Sequence, residues 1–450
     1  MQIEMLLPHQ QVLPLEELRS ILLRTGSAEP FNGAVVNASI DLSLRIFRDE
    51  EARGYPELLA LAYWMRKAEI TRLCGQFRSL QVDERILTPR GLVFHLPPHN
   101  VDTMFVYSWL LAALTGNCSV IRLSPQLSQS TSILLRLLRE TLAGAAEPAR
   151  SSTRIISYGH EEEPTAVLSA SCDVRVIWGG DHTVETIRRI PLAPHAREIT
   201  FPDRYSLSAI RADAYTRLPE KERDFLADQF FNDAFWFDQL ACSSPRLLVW
   251  CGTASEARAG SADFFRRVAE CVDHRRYCLP PSASMQKLVY ACSAILKSPV
   301  EECRRYKGLT VLTLPSLADF SRDHPGGGLF FEAQLETLLE LSDYVTRKDQ
   351  TLTWFGFSAN ELHAFARRLN GRAIDRIVPI GQALQFNRFW DGHDLLQEFC
   401  RCVYIDSESS KFSPHPRLGD QCPNYQSDSA GTEIGGPVLK RVSLPSLGGR

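Results

Sequence analysis

An α/β fold of the doubly wound kind is predicted by three observations. Two continuous apolar runs, GLVFHL from Gly91 and CSVIRL from Cys118, read as parallel strands covered on both faces. The apolar stretch between them has helical length and stops at Gly116-Asn117, the left-handed cap expected where a helix gives way to a strand. The alternation then repeats through a helix from Ser128 to Leu142, strands near Arg154 to Ser157 and Asp173 to Trp178, and a helix from about His182 to Ile190.

After Ile210 the texture changes. A long helix reaching Cys242 is expected, then a strand (PRLLVW), an amphipathic helix (SADFFRRVAECV) and strands around Leu309 to Leu314 and Thr351 to Phe357. These make a second α/β domain. The expected division is 1–205, 206–385, a return segment 386–406, and 407–450, where Ser, Pro, Gly and polar residues replace apolar anchors and a mobile tail is expected.

A chain of 450 residues has room for more than one core. With 50 basic and 53 acidic residues, net charge −3 and no block of one sign, the chain gives no electrostatic case for nucleic acid or an anionic membrane. A small, roughly neutral substrate fits better. Twelve cysteines without dense regular spacing, and no signal peptide at the N-terminus, read as reduced thiols in a cytoplasmic protein. The longest apolar stretch, Met104 to Leu114, is too short to span a bilayer and reads as a core helix. Cys400 with Cys402, and Cys271 with Cys278, lack the spacing of a zinc knuckle, so no metal is expected.

Four places carry possible chemistry. Leu226, Phe230, Ala234, Phe237 and Ala241 recur at helical spacing and deliver Cys242 to a Ser-Ser-Pro break, a position suited to an exposed nucleophile; an inert core thiol is the alternative. Pro97-Pro98-His99-Asn100 leaves a strand and opens a helix, so Asn100 can cap that helix or donate to an oxyanion at the carboxyl edge of the sheet. Trp178-Gly179-Gly180-Asp181 has the same topology, with small residues that admit a phosphate to a helix N-terminus and Asp181 as an ordinary cap. Arg122 offers a cation on the same edge, or a solvated surface charge.

Taken in order, GLVFHLPPHNV, WLLAALTGNCSVIRLSP, VIWGG, FDQLACSSP and TWFGFSANELHAFARRLNGRAIDRIV resemble the aldehyde dehydrogenase superfamily from its oxyanion asparagine to its catalytic cysteine and beyond. VIWGGDHTVETIRRIPLAPHAREITFPDRYSLSAI, DQLACSSP and DRIVPIGQAL...FWDGHDLLQE are similar to the LuxC-type acyl-CoA reductases, the fatty acid reductase component of bacterial bioluminescence. The likeness covers about residues 75 to 404.

The resemblance implies an aldehyde dehydrogenase-like fold: a Rossmann-type cofactor domain, a catalytic domain and a small oligomerisation element. It places Cys242 as the nucleophile that takes an acyl group from a fatty acyl-CoA or acyl-protein donor, and Asn100 as the oxyanion donor. Arg122 and Ser124 fall on the adenosine side of the cofactor, and Trp178, Gly179 and Gly180 on the turn that approaches it. Pro125 stands where NAD-preferring members carry a glutamate, which implies NADPH. Oxidising members carry a water-activating glutamate; Ile199-Thr200-Phe201-Pro202 has none, and Glu198 is three positions away, so acyl reduction to a long-chain aldehyde is the implied direction. Glu332 is a weakly aligned candidate for the carboxylate that holds the nicotinamide ribose. RCVYI resembles a strand that pairs with a neighbouring subunit's hairpin, expected near residues 78–90, and implies a homodimer or homotetramer. An acyl-protein synthetase partner follows by the same analogy. An oxidative aldehyde dehydrogenase and a non-catalytic scaffold of an acyl-transfer complex are the alternatives. Phe235, Trp236 and Phe237 either line an acyl tunnel or fill the core.

Overall fold

Strands β1 (Gln2–Leu7), β2 (Gln11–Pro14), β3 (Arg85–Pro89), β4 (Leu92–Leu96), β5 (Cys118–Leu123), β6 (Thr153–Ser157), β7 (Val174–Trp178) and β8 (Arg197–Phe201) occupy the first half of the chain. All but β3 form one seven-stranded sheet in the order β2-β1-β6-β5-β4-β7-β8. The run from β6 to β8 is parallel, while β1 joins β6 and β2 joins β1 in antiparallel fashion. The computed structural model describes residues 1–98, 101–297, 299–318 and 320–406. The segment 407–450, expected as a tail, lies outside them.

The helix Met104–Leu114 links β4 to β5, and all eleven of its residues are buried. Its lack of a polar face follows from that position, since a helix covered on every side has no solvent stripe to keep polar. Gly116 ends the connection at φ +85°, where a Cβ would stand 2.2 Å from the carbonyl oxygen of Ala28. Only glycine meets both demands.

A second sheet follows, built from β9 (Tyr205–Arg211), β10 (Pro245–Cys251), β11 (Glu302–Arg305), β12 (Thr310–Thr313), β13 (Leu329–Leu335), β14 (Asp349–Phe355) and β15 (Arg376–Pro379). Its order is β11-β12-β13-β10-β9-β14-β15, parallel except at β11. Aromatic packing dominates one face: Phe230, Phe264, Phe265 and Phe330 meet at centroid separations of 5.1 to 5.6 Å.

Two expectations change. The helix expected to reach Cys242 spans Glu220–Phe235, because Asp238 and Gln239 take left-handed φ values of 51° and 62° and turn the chain out of the helix. The strand expected to meet a neighbour's hairpin, β18 (Cys400–Tyr404), pairs antiparallel with β3 of its own chain. Between them lie the short strands β16 (Phe389–Trp390) and β17 (His393–Asp394), joined as a hairpin. The region 78–90 is a helix end at Ser79, a tight turn closed by Val82 and Arg85, and the single strand β3. Among the described residues no helix is long and apolar enough to cross a membrane, and no group of three or more His, Cys, Asp or Glu is placed to hold a metal.

Candidate active site

In the first sheet β4 continues to β5 on one side, whereas the chain returns from β6 to β7 on the other. The carboxyl ends of β4 and β7 therefore form the topological switch point, where open α/β sheets bind ligands. Pro98, Val101 and Thr103 after β4, and Trp178, Gly179 and Gly180 at the end of β7, line one side of a cleft there. Cys242 and Ser243, just ahead of β10, line the other. The cleft thus runs between the carboxyl edge of the first sheet and the amino edge of the second.

The Cys242 loop is fixed by polar groups from distant parts of the chain. Buried Gln239 donates from Nε2 to the carbonyls of Pro245 (3.0 Å) and Leu329 (2.8 Å), and its Oε1 accepts from the Gly328 amide at 3.0 Å. The Gly327 amide donates to the Asp238 carbonyl at 2.7 Å. At Gly326, φ +74°, a Cβ would lie 2.5 Å from that same carbonyl oxygen, so the glycine run is what lets the two loops touch. Ser206 Oγ donates to the Cys242 carbonyl at 2.6 Å, which pins the backbone of that residue to β9.

Burial pushes the Cys242 thiol up to about 11; the Asp391 carboxylate adds to the rise, and Ser243, Arg246 and Gln350 oppose it. Burial likewise lifts Asp391 to about 6, against the pull of Arg204 and of a hydrogen bond from Gln350. Arg204 Nε lies 3.6 Å from Asp391 Oδ2. Around neutral pH the cleft therefore holds a protonated thiol and an ionised, poorly solvated carboxylate.

Trp178 forms the opposite wall. It stacks on Phe201 at 3.6 Å and 13°, and its Nε1 points to Ser108 Oγ at 3.4 Å. Ser108 is held in turn by His95 Nδ1 at 2.8 Å, and His95 Nε2 reaches Ser119 Oγ at 3.2 Å. Burial drives the His95 pKa down to about 3, so the imidazole is neutral and can donate to one serine while accepting from the other.

The structure thus brings Cys242, Trp178, Gly179 and Gly180 together. Asn100 lies outside the described residues. Arg122 and Ser124 stand apart from the cysteine, at the end of β5. There the Arg122 guanidinium donates to the carbonyls of Tyr158 (3.0 Å) and Gly159 (2.6 Å). Glu332 is not in the cleft; it is buried on β13 among Arg304, Ser261 and Thr313. Glu198 pairs with Arg175 and Arg188 on β8, away from the sulfur. Asp391, Gln350, Arg204 and Arg246 are additions that the sequence reading did not select. One signal was legible: Asp391-Gly392, at φ 48° and 75°, is the Asp-Gly pair of a two-residue hairpin turn between β16 and β17.

The turn after β7 fits a dinucleotide. A Cβ at Gly180 would meet nothing within 4 Å, so space is open over the start of the helix Asp181–Arg188. The Asp181 carboxylate, which would repel a phosphate, is held by Lys348 Nζ at 3.0 Å and accepts from the Asp203 amide at 3.3 Å.

Comparison with known proteins gives a consistent set of likenesses. Residues 76–290 match the family of acyl-CoA reductases (LuxC). Long-chain acyl-protein thioester reductases of Aliivibrio fischeri and Vibrio harveyi are 28% and 21% identical, over 332 and 337 residues. Each match takes in 72% of this chain and 65% of the relative's length. Among solved structures, a betaine aldehyde dehydrogenase of Staphylococcus aureus superposes with a TM-score of 0.62 at 14% identity, over 93% of both chains. A second structure of that enzyme, in complex with NAD+, gives 0.62 at 13% identity over 91% of both. Proline utilization A of Bradyrhizobium japonicum gives 0.60 at 14% identity, over 87% of this chain and 45% of that one.

Proposed function

From a chain with an aldehyde dehydrogenase-like fold and a likeness to the LuxC acyl-CoA reductases over residues 76–290, we propose an enzyme that reduces a long-chain acyl thioester to an aldehyde, with Cys242 as its nucleophile and NADPH as its reductant. The observation that carries this reading is the cleft itself. Cys242 faces the open Gly179-Gly180 turn at the switch point, and the described residues lining the space include no glutamate. The carboxylates that do line it are those of Asp203 and Asp391, and Asp391 is the proposed acceptor of the thiol proton rather than of one from water.

Cys242 Sγ attacks the carbonyl carbon of the donor thioester, and its proton passes to Asp391. The carbon–sulfur bond to the donor breaks, the donor leaves as a thiol after taking a proton, and the acyl group remains on Cys242. The backbone N–H of Cys242 and the side chain of Asn100 are the proposed donors to the oxyanion. The chemistry that NADPH would supply when bound is a hydride, which would bring the acyl group to the aldehyde level. Arg204 moderates the charge of Asp391 throughout, and the Cys242 sulfur regains a proton as the aldehyde departs. Arg122 and Ser124 are the proposed contacts of the adenosine half, with Gly179 and Gly180 beneath the pyrophosphate. The donor is a fatty acyl-CoA or an acyl-protein, the latter delivered by a synthetase partner. The proposed setting is a cytoplasmic homo-oligomer.

Intact-mass spectrometry tests the reading. Myristoyl-CoA should add one acyl group to the wild type and none to Cys242→Ala, and NADPH should discharge the adduct as aldehyde. Discharge as free acid without nucleotide would favour hydrolysis, and absence of any adduct would favour the scaffold.

A further inference from the structure

The helix Pro281–Lys297 carries its large side chains on the outside. At about 100° per residue, Met285, Leu288, Val289, Cys292, Ile295 and Leu296 recur three and four positions apart and form one stripe. All six face solvent: Met285 and Val289 are each 60% exposed, and Leu296 is 87% exposed. The opposite side, packed against the core of the second sheet, is made by Tyr290, Ala291 and Ala294. A helix with that core as its one partner would turn its leucines inward and its polar groups outward. Here both sides are apolar, and the outer one holds the larger residues.

We infer that this stripe is an interface between two copies of the chain, laid antiparallel across a twofold axis near Val289 and Cys292. Such an arrangement is self-complementary, with Met285 of each copy opposite Leu296 of the other. Seating the six side chains on their copies removes on the order of 1,000 Å² from water across the two chains, the area at which a specific interface begins. Charge points the same way. The helix carries only Lys287 and Lys297, and Lys287 Nζ already donates to the Gly308 carbonyl at 3.0 Å, so the stripe itself holds no charge that pairing would strand. An anionic membrane would call for a basic border. The strand that follows instead brings exposed Glu301 and Glu302 as well as Arg305, the mixed rim of a protein contact. The inference rests on the proposed homo-oligomer, to which it gives a face, and not on the acyl-reductase reading.

The test measures the mass of the full chain in solution by light scattering after gel filtration. Val289→Glu, which sets a charge at the centre of the stripe, should halve the mass of the assembly, whereas Val12→Glu, at an equally open apolar position on β2, should leave it unchanged. A second reading needs no disruptive variant. At the axis separation of packed helices, about 8–10 Å, the two Cys292 thiols come within reach of a short bis-maleimide. The wild type should therefore yield a covalent dimer that Cys292→Ser abolishes. An assembly whose mass Val289→Glu leaves intact, or a covalent dimer that survives Cys292→Ser, overturns this face and leaves the homo-oligomer standing. A monomeric wild type removes both. If that monomer also sediments with phosphatidylglycerol vesicles and Val289→Glu does not, the stripe is a lipid contact instead.

Discussion

The side-chain amide of Gln350 donates from Nε2 to Oδ1 of Asp391, a hydrogen bond between two buried residues that ties the start of β14 to the turn after Trp390. Gln350 thereby fixes the carboxylate whose charge raises the Cys242 thiol. Opposite effects on two reactions follow for Asp391→Asn. Removing the negative charge lowers the thiol pKa, so alkylation of Cys242 by iodoacetamide at pH 8 should accelerate. Acyl transfer from a thioester, which needs a proton acceptor, should slow by about 10²-fold. In the wild type the acylation rate should rise with pH through about 6, where Asp391 ionises, and Asp391→Asn should lose that step. Stopped-flow rates for both reactions decide the matter; movement in the same direction would remove Asp391 from the proposed role.

Gln239 is the keystone of the Cys242 loop by the same reasoning. Gln239→Ala strands the Gly328 amide and takes a donor from the Pro245 and Leu329 carbonyls, the latter keeping its contact with His324 Nε2, in a buried site. The expected cost is about 2–4 kcal/mol of stability, seen as a lower urea midpoint with an unchanged slope. A loss below about 0.5 kcal/mol would mean that water replaces the amide and that the loop is not held by it.

Gly326→Ala probes the same junction from the other side. Its left-handed φ and the 2.5 Å approach to the Asp238 carbonyl leave no room for a methyl group. The substitution should destabilise by about 1–3 kcal/mol and slow Cys242 acylation more than alkylation by a small reagent, because acyl transfer depends on the loop's exact placement. Equal slowing of both would indicate general loosening.

What was legible in the sequence follows the range of the interactions. The β4-helix-β5 unit could be read because its apolar runs and Gly116 are local signals. The Gly179-Gly180 turn and Cys242 were legible as positions at element ends. The end of the helix before Cys242 was not, because Asp238 and Gln239 are held in left-handed geometry by groups near 328, some ninety residues away. Asp391, Gln350 and Arg204 come from three separate elements, and no spacing rule joins them. The strands β1 and β2 were missed for a related reason: β1 gains its place by pairing with β6, about 150 residues later.

Close in sequence to Pro125, on which the proposed choice of NADPH over NADH rests, Arg122 is a proposed contact of the cofactor's adenosine half. Its guanidinium is already oriented by the carbonyls of Tyr158 and Gly159, so it presents a fixed cation at the end of β5. Arg122→Leu should reduce the preference for NADPH over NADH by about tenfold, the scale of one charge-assisted hydrogen bond, in a fluorescence titration with each nucleotide. Equal weakening of both would place Arg122 at the adenosine rather than the 2′-phosphate, and no weakening would take it out of the site.

The last prediction concerns acid. His95, at about 3, and His324, also at about 3, are both depressed below the ordinary histidine value, chiefly by burial. A group whose pKa is lower in the folded state binds fewer protons there than in the unfolded chain. Stability from such groups is fully present above about 6.5 and is lost as pH falls toward 3. Asp391 and Asp233, raised by burial to about 6 and about 7, act in the opposite sense above about 4, so the two effects partly cancel between 4 and 6.5. The thermal midpoint should therefore decline gently from pH 6.5 to 4.5 and steeply below 4. His95→Gln, which keeps an amide between Ser108 and Ser119 but cannot take up a proton in this range, should flatten the steep limb. Because His95 holds Ser108 under Trp178, the tryptophan emission should report the same transition. A midpoint curve in His95→Gln that parallels the wild type below pH 4 would show that acid unfolds the chain elsewhere first.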